Sequence, residues 1–204
     1  MRALKIAATG MEAQQKKVEV ISNNLANMST TAYSARRAEF ADLIYQQPQR
    51  AGSISAANGA VLPAGVQLGL GVRTQAVTVD LMQGPLAATN GELDLAIDGD
   101  GWFEIELPSG ESGFTRDGSF KRTADGVLVT SQGYPLIPDI TIPEDTQQIT
   151  INQQGEVYAH FDDVVEPTLL GTISLAVFAN DKGLEPLGGN LFRETGGSGP
   201  PNVG

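Results

Sequence analysis

The sequence predicts a mainly β chain with one long N-terminal α-helix, the helix leading through an extended connecting segment into a compact β-rich domain. Three observations predict it. Ala3 to Met28 contains no proline and a single glycine among good helix formers. After Val72, short alternating or apolar runs are separated by turn residues, and the chain carries Asp-Gly four times and Asn-Gly twice, which is hairpin chemistry. The formal charge of −11 is unevenly divided: residues 1–50 hold seven basic and four acidic residues (+3), residues 51–204 hold six basic and twenty acidic (−14). Such a division suggests two parts built for different neighbours, and a body this acidic repels phosphate backbones, which excludes nucleic acid as a natural partner.

The helix is the most informative element. Leu4, Ala7, Met11, Gln14, Val18, Ile21, Leu25 and Met28 follow one another by alternating steps of three and four, a heptad seam in which only Gln14 is not apolar. Ile6, Ala13 and Val20 widen the stripe on one flank, while Lys5, Glu12, Lys16, Glu19 and Asn23 lie largely away from it. A seam this narrow and regular calls for another helix. No stretch in residues 51–204 carries a comparable one, so its partner is expected in other subunits or in sequence beyond Gly204, with the segment mobile in an isolated chain.

Ser29, Thr30 and Thr31 end the helical pattern, and apolar spacing resumes at Phe40, Leu43 and Ile44. From Gln46 to Gly71 the only charge is Arg50, but Val61, Leu62, Val66, Leu68 and Leu70 are unusual in a solvated linker. An ordered extension that finds its contacts on neighbours is the sharper reading. The expected organisation is thus an assembly helix at 1–30, a connecting helix or strand and extended segment at 31–71, a β-rich domain at 72–195, and a Gly/Pro-rich tail at 196–204. Strands are expected at Val77–Leu81, Leu93–Ile97, Trp102–Leu107, Val127–Thr130, Gln148–Asn152, Glu156–Phe161 and Thr172–Phe178. A three-residue loop at Arg116-Asp117-Gly118, with Gly118 left-handed, would pair Phe114 with Phe120 on one face.

Catalytic chemistry is thin. Without cysteine there is no disulfide, thiolate metal site or thiol nucleophile, and the single His160 leaves no histidine relay. Asp98-Gly99-Asp100-Gly101 opens like a calcium loop, but Trp102 stands where the pattern needs an oxygen ligand, so it reads as a turn. Glu104 and Glu106 share one side of a strand whose other side is Phe103, Ile105 and Leu107, the pattern of a half-buried strand. No cofactor or metal is expected. The longest apolar run, Leu175 to Ala179, is too short to enter a bilayer as a spanning helix, and Arg2 to Gly10 lacks the apolar stretch of a cleaved signal.

Several phrases in order resemble one known family. Ala8-Thr9-Gly10-Met11-Glu12-Ala13-Gln14-Gln15 followed by Ile21-Ser22-Asn23-Asn24-Leu25-Ala26-Asn27 resembles the N-terminal signature of bacterial flagellar rod and hook proteins. The resemblance continues through Phe40–Leu43, Gln83-Gly84, Asp94–Phe103, Phe114–Phe120 and Gly188–Phe192, and so spans nearly the whole chain. Within the family it is greatest to distal rod members, whose layout includes an extension like 46–71; proximal rod members are the nearest rivals. A hook protein would carry a further large inserted domain. The resemblance implies a non-enzymatic subunit stacking helically with copies of itself into a hollow rigid shaft. Terminal helices would form inner coiled-coil layers and β domains the outside, and the shaft would transmit torque to the hook and offer an export channel. It implies proximal rod, hook, peptidoglycan-ring and outer-membrane-ring proteins as partners, a place in the periplasmic part of the basal body, and export without signal cleavage. The family signature falls on Asn23, Asn24, Leu25 and Asn27. Two departures stand out: the family has Gly where Ala32 stands, and its members continue into a C-terminal helix beyond the position of Gly204. A secreted β-rich binding module with a helical oligomerisation arm is the competing reading from a different class.

Overall fold

The computed structural model describes residues 1–49, 66–162 and 164–204. The chain forms two compact units, one of residues 1–29 and 35–80, the other of residues 30–34 and 81–204.

In the first unit, α1 spans Arg2–Ala26, within two residues of the predicted stretch. It begins without a side-chain cap and has neither an acid in its first turn nor a base in its last, so packing rather than end effects must hold it. Among the described residues the unit also holds four strands: β1 (Arg36–Asp42), β2 (Tyr45–Gln49), β3 (Val66–Gly69) and β4 (Val72–Val79). β1 and β4 pair antiparallel, Arg36 opposite Val79 and Asp42 opposite Val72, with an irregularity after Glu39. β2 and β3 form a second antiparallel pair. The 46–71 extension therefore begins and ends in paired strands, while its middle, residues 50–65 with Val61 and Leu62, lies outside the described residues. A division at residue 72 would separate β1 from β4. Their pairing carries the first unit on to Asp80, and the run Val77–Leu81 is the end of β4 rather than the opening strand of the β domain.

The second unit holds twelve strands among its described residues: β5 (Trp102–Glu106), β6 (Ser112–Thr115), β7 (Lys121–Arg122), β8 (Leu128–Val129), β9 (Leu136–Ile137), β10 (Gln148–Ile151), β11 (Glu156–Phe161), β12 (Val164–Thr172), β13 (Leu175–Val177), β14 (Glu185–Gly188), β15 (Leu191–Arg193) and β16 (Asn202–Val203). The main sheet runs β14-β15-β6-β5-β13-β16. On one side β5 pairs with β6; on the other it is shared, Trp102 and Phe103 meeting β13 and Glu104 and Ile105 meeting β9. β10, β11 and β12 form a separate antiparallel sheet, and β7 pairs with β8.

The central strand β5 is covered on both faces near its start. Phe103 and Ile105 enter the larger core with Phe120, Leu128, Leu136 and Ile140, while Trp102 enters a second cluster with Phe114, Ala176, Phe178, Leu184 and Phe192. Aromatic rings meet edge to face in both, Phe103 on Phe120 at 5.1 Å in the first and Trp102 on Phe192 and Phe114 on Phe178 at 4.8 Å in the second. The Trp102 indole N–H donates to Asp181 Oδ1 at 3.2 Å, so burial leaves it satisfied.

Three expectations need correction. Phe114 and Phe120 do not pair: Phe114 lies opposite Glu104 and Phe192, and the two rings enter different clusters. The turn between them is tied by its own side chains, with the Asp117 N–H donating to Thr115 Oγ1 and the Ser119 N–H and hydroxyl to Asp117 Oδ1. Gly118 is not left-handed; its carbonyl accepts from the Leu95 N–H at 2.9 Å, and a Cβ there would overlap the Leu95 carbonyl oxygen. Leu93–Ile97 makes one bridge, Asp94 to Ser119, instead of a strand. Residues 196–204 are part of the body: Ser198 is buried and bonds to Thr195 and Gly199, and β16 pairs with β13.

Candidate assembly interface

The side chains of α1 sort onto three faces. One packs on the β1–β4 pair. Ala13, the helix's one buried residue, lies at its middle, with half-buried Ile6, Thr9, Val20 and Asn24 along the same face. Two polar pegs fix it. Thr9 Oγ1 accepts from the Val72 N–H at 3.4 Å at the start of β4, and Asn24 makes both hydrogen bonds of a strand partner with Arg36 at the start of β1. The Asn24 Nδ2 donates to the Arg36 carbonyl at 2.8 Å, and its Oδ1 accepts from the Arg36 N–H at 2.9 Å. Fifteen helical residues separate the pegs, about 22 Å at 1.5 Å each. Arg36 to Asp42, which faces Val72, spans about 20 Å as a strand. The helix and strand lengths match, so both pegs seat together. Gly71 permits the approach at the Thr9 end, where a Cβ would strike Thr9 Oγ1.

A second face is polar: Lys16 pairs with Glu19 at 3.0 Å and Gln15 donates to the same carboxylate at 3.1 Å. These two hydrogen bonds, the lysine's first, hold the Glu19 carboxyl below its ordinary pKa.

The third face is the heptad seam. Leu4, Ala7, Met11, Gln14, Val18, Ile21 and Leu25, with Met28 in the turn just past the end of α1, are all exposed, the large apolar members between 53% and 74%. At 100° per residue the seam lies about 120° around the helix from the packed face. Intramolecular docking through Ile6, Ala13 and Val20 thus leaves the seam open. The expectation that the helix depends on partners outside the chain for any fixed position is corrected: the flank read as widening the seam is what docks α1 at home.

The phrases of the sequence signature also have local work. Asn24 pegs β1 as described, while Asn27 closes the helix, its N–H and side-chain amide both donating to the Asn23 carbonyl at 3.1 and 2.9 Å; Leu25 is on the seam. In the other unit, Gln83 clamps the Asp98-Gly99 turn, donating to the Ile97 carbonyl and Asp98 Oδ1 at 3.2 Å and accepting from the Gly99 N–H at 2.8 Å. Arg116 donates to the Gly99 carbonyl and lies over the Trp102 ring. Asp98 is thereby engaged as a turn residue. Glu104 accepts from the Ser112 hydroxyl at 2.6 Å, and His160 Nε2 is 3.1 Å from Thr150 Oγ1 on the face of β11 opposite buried Val157 and Ala159. Among the described residues no group of three or more His, Asp or Glu gathers as metal ligands, and no helix is long and apolar enough to cross a membrane.

Two family models match the chain: the flagella basal body rod protein model over residues 4–33, which covers α1 and its seam, and the flagellar hook protein FlgE/F/G D1 domain model over residues 96–159. The chain is 51% identical to the flagellar basal-body rod protein FlgG of Agrobacterium fabrum over all of its own residues and 78% of that protein. The corresponding figures for FlgG of Caulobacter vibrioides are 49% identity, 98% of the chain and 76% of the relative. The chain belongs to the flagellar basal-body rod protein family. A flagellar hook protein FlgE from Helicobacter mustelae is 41% identical, over 66% of the chain and 30% of its own length. Like its family, this rod protein is a structural subunit of the flagellar basal body. Ala32, where the resemblance implies a glycine, is left-handed (φ 57°), a backbone that favours that residue.

Proposed function

We propose that this chain is a distal rod subunit and that the Leu4–Met28 seam is the surface through which it polymerises. Copies stack helically, the seams meet neighbouring helices in an inner layer, and the β units form the outside of a hollow, rigid shaft that carries torque to the hook and encloses part of the export channel. The observation that carries this reading is the division of labour on α1: one face already spent on β1 and β4, and a whole heptad seam left in water on another. Six large apolar residues at this exposure represent on the order of 8 kcal/mol of burial still available per helix. That is ample for association between neighbours.

The partners in this reading are further copies of the chain, the proximal rod and hook proteins, and the peptidoglycan and outer-membrane ring proteins through which the shaft passes in the periplasm. The distal assignment rests on the 46–71 extension. The −14 charge over residues 51–204 gives the outer units a like-charged surface that limits adhesion to the rings.

Negative-stain electron microscopy of the chain at rising concentration tests the assembly. Open-ended straight tubes are expected; a closed, small oligomer would favour a binding module with an oligomerisation arm. Site-specific crosslinking in cells from position 18 or 25 tests the position in the shaft, with hook protein captured only if the subunit is distal.

A further inference from the structure

Among the described residues, two non-glycine positions are left-handed, Ala32 (φ 57°) and Asn190 (φ 61°), and one hydrogen bond joins their neighbourhoods across 159 residues. The Asn190 Nδ2 donates to the Thr31 carbonyl at 2.7 Å. Asn190 is itself fixed: its carbonyl accepts from the hydroxyl of Thr115, which is buried in β6, at 2.9 Å, and it ends three consecutive left-handed residues with Gly188 and Gly189 in the β14–β15 turn. An asparagine in this conformation is ordinary, whereas an alanine occupies it about tenfold less readily than the right-handed alternative and persists only when its surroundings hold it.

We propose that Asn190 is a positioning residue whose side-chain amide holds residues 30–34 on the β body and thereby keeps Ala32 left-handed. The segment it holds is distinctive in chain order. Residues before Thr30 and after Ser34 belong to the unit that carries α1, so these five residues are a loop of that unit's chain captured by the other. This role is independent of whether the subunit is distal or proximal, and of polymerisation itself.

Hydrogen exchange by mass spectrometry on the full chain tests it, read on the peptide containing the Tyr33 amide, which donates to the Thr30 carbonyl at 3.3 Å. Asn190→Asp keeps size and backbone preference but removes the donor. Exchange over 30–34 should rise about fivefold, the worth of one net hydrogen bond, while β5 and β6 keep their protection. Adding Ala32→Gly should cancel most of the rise, because glycine takes the left-handed turn without being held. If N190D does not fold, Asn190→Gly, which keeps the conformation without the amide, is read the same way. Unchanged exchange over 30–34, a rise spread evenly over the whole chain, or a rise that A32G leaves intact each overturns the proposal.

Discussion

Replacing Val18 and Leu25 together by aspartate should abolish self-association while leaving both units folded. Val18 and Leu25 are 60% and 66% exposed, so the folded chain has little of their surface to lose. Burying the remainder against a neighbour is worth about 1–2 kcal/mol for each residue, so truncation alone would remove about 3 kcal/mol per helix. Carboxylates in the same places add the cost of desolvating two unpaired charges, several kcal/mol each in an apolar contact. A combined loss of at least about 6 kcal/mol corresponds to more than ~10⁴-fold in the subunit concentration needed to assemble. Sedimentation and electron microscopy would read assembly; circular dichroism melting would read folding. The unfolding transition should move by no more than the ~0.5 kcal/mol typical of surface substitutions. Tubes from V18D/L25D at the wild-type concentration would refute the assignment of the seam. So would loss of the folded helix, since it would mean that the seam holds α1 in place.

Other substitutions probe the remaining parts. Ala13→Asp puts a charge at the helix's buried point and should undock α1 from β1 and β4, at a cost of about 3 kcal/mol or more, visible as rapid proteolysis at exposed Arg36 and Arg37. Ala32→Gly relieves a left-handed alanine and, after the added freedom of the unfolded chain, should stabilise the protein by about 0.5–1 kcal/mol, a rise of one to three degrees in Tm, roughly. Gly118→Ala drives a methyl group into the Leu95 carbonyl and should destabilise the second unit by about 2 kcal/mol or more in urea unfolding. Neutralising acidic residues on outward strand faces should increase adhesion of the shaft to its rings; unchanged rotation and ring assembly would remove that role from the charge.

Legibility in the sequence followed the range of the interactions. α1 was legible because its determinants lie within one turn of each other, and so were β5, β8, β10 and β11, whose alternation or turn residues are local. The seam's register could be read, but not that its flank at Ile6, Ala13 and Val20 docks on strands, because β1 and β4 are brought together only by pairing across the 46–71 extension. Phe114 and Phe120 illustrate the same limit. Their spacing fits a hairpin, yet Leu95 and Phe192, distant in sequence, compete for the partners the hairpin would have used, and win. Ala32 reads as a departure from the glycine that the resemblance implies; the hydrogen bond from Asn190 to the adjacent Thr31 carbonyl, 159 positions away, has no local signal at all.

The edges of the main sheet carry a consequence for a protein meant to crowd with its own copies. β14 carries a proline, Pro186, and β16 is two residues long. An open strand edge is a template on which any second copy can add its backbone, and local crowding in a polymer makes that encounter nearly continuous. A proline that cannot donate, and an edge too short to recruit a ladder, deny both borders to such growth. Subunits can then stand shoulder to shoulder without fusing into a continuous sheet, and on the proposed reading of the seam, order along a shaft is left to the helices, where register is specified.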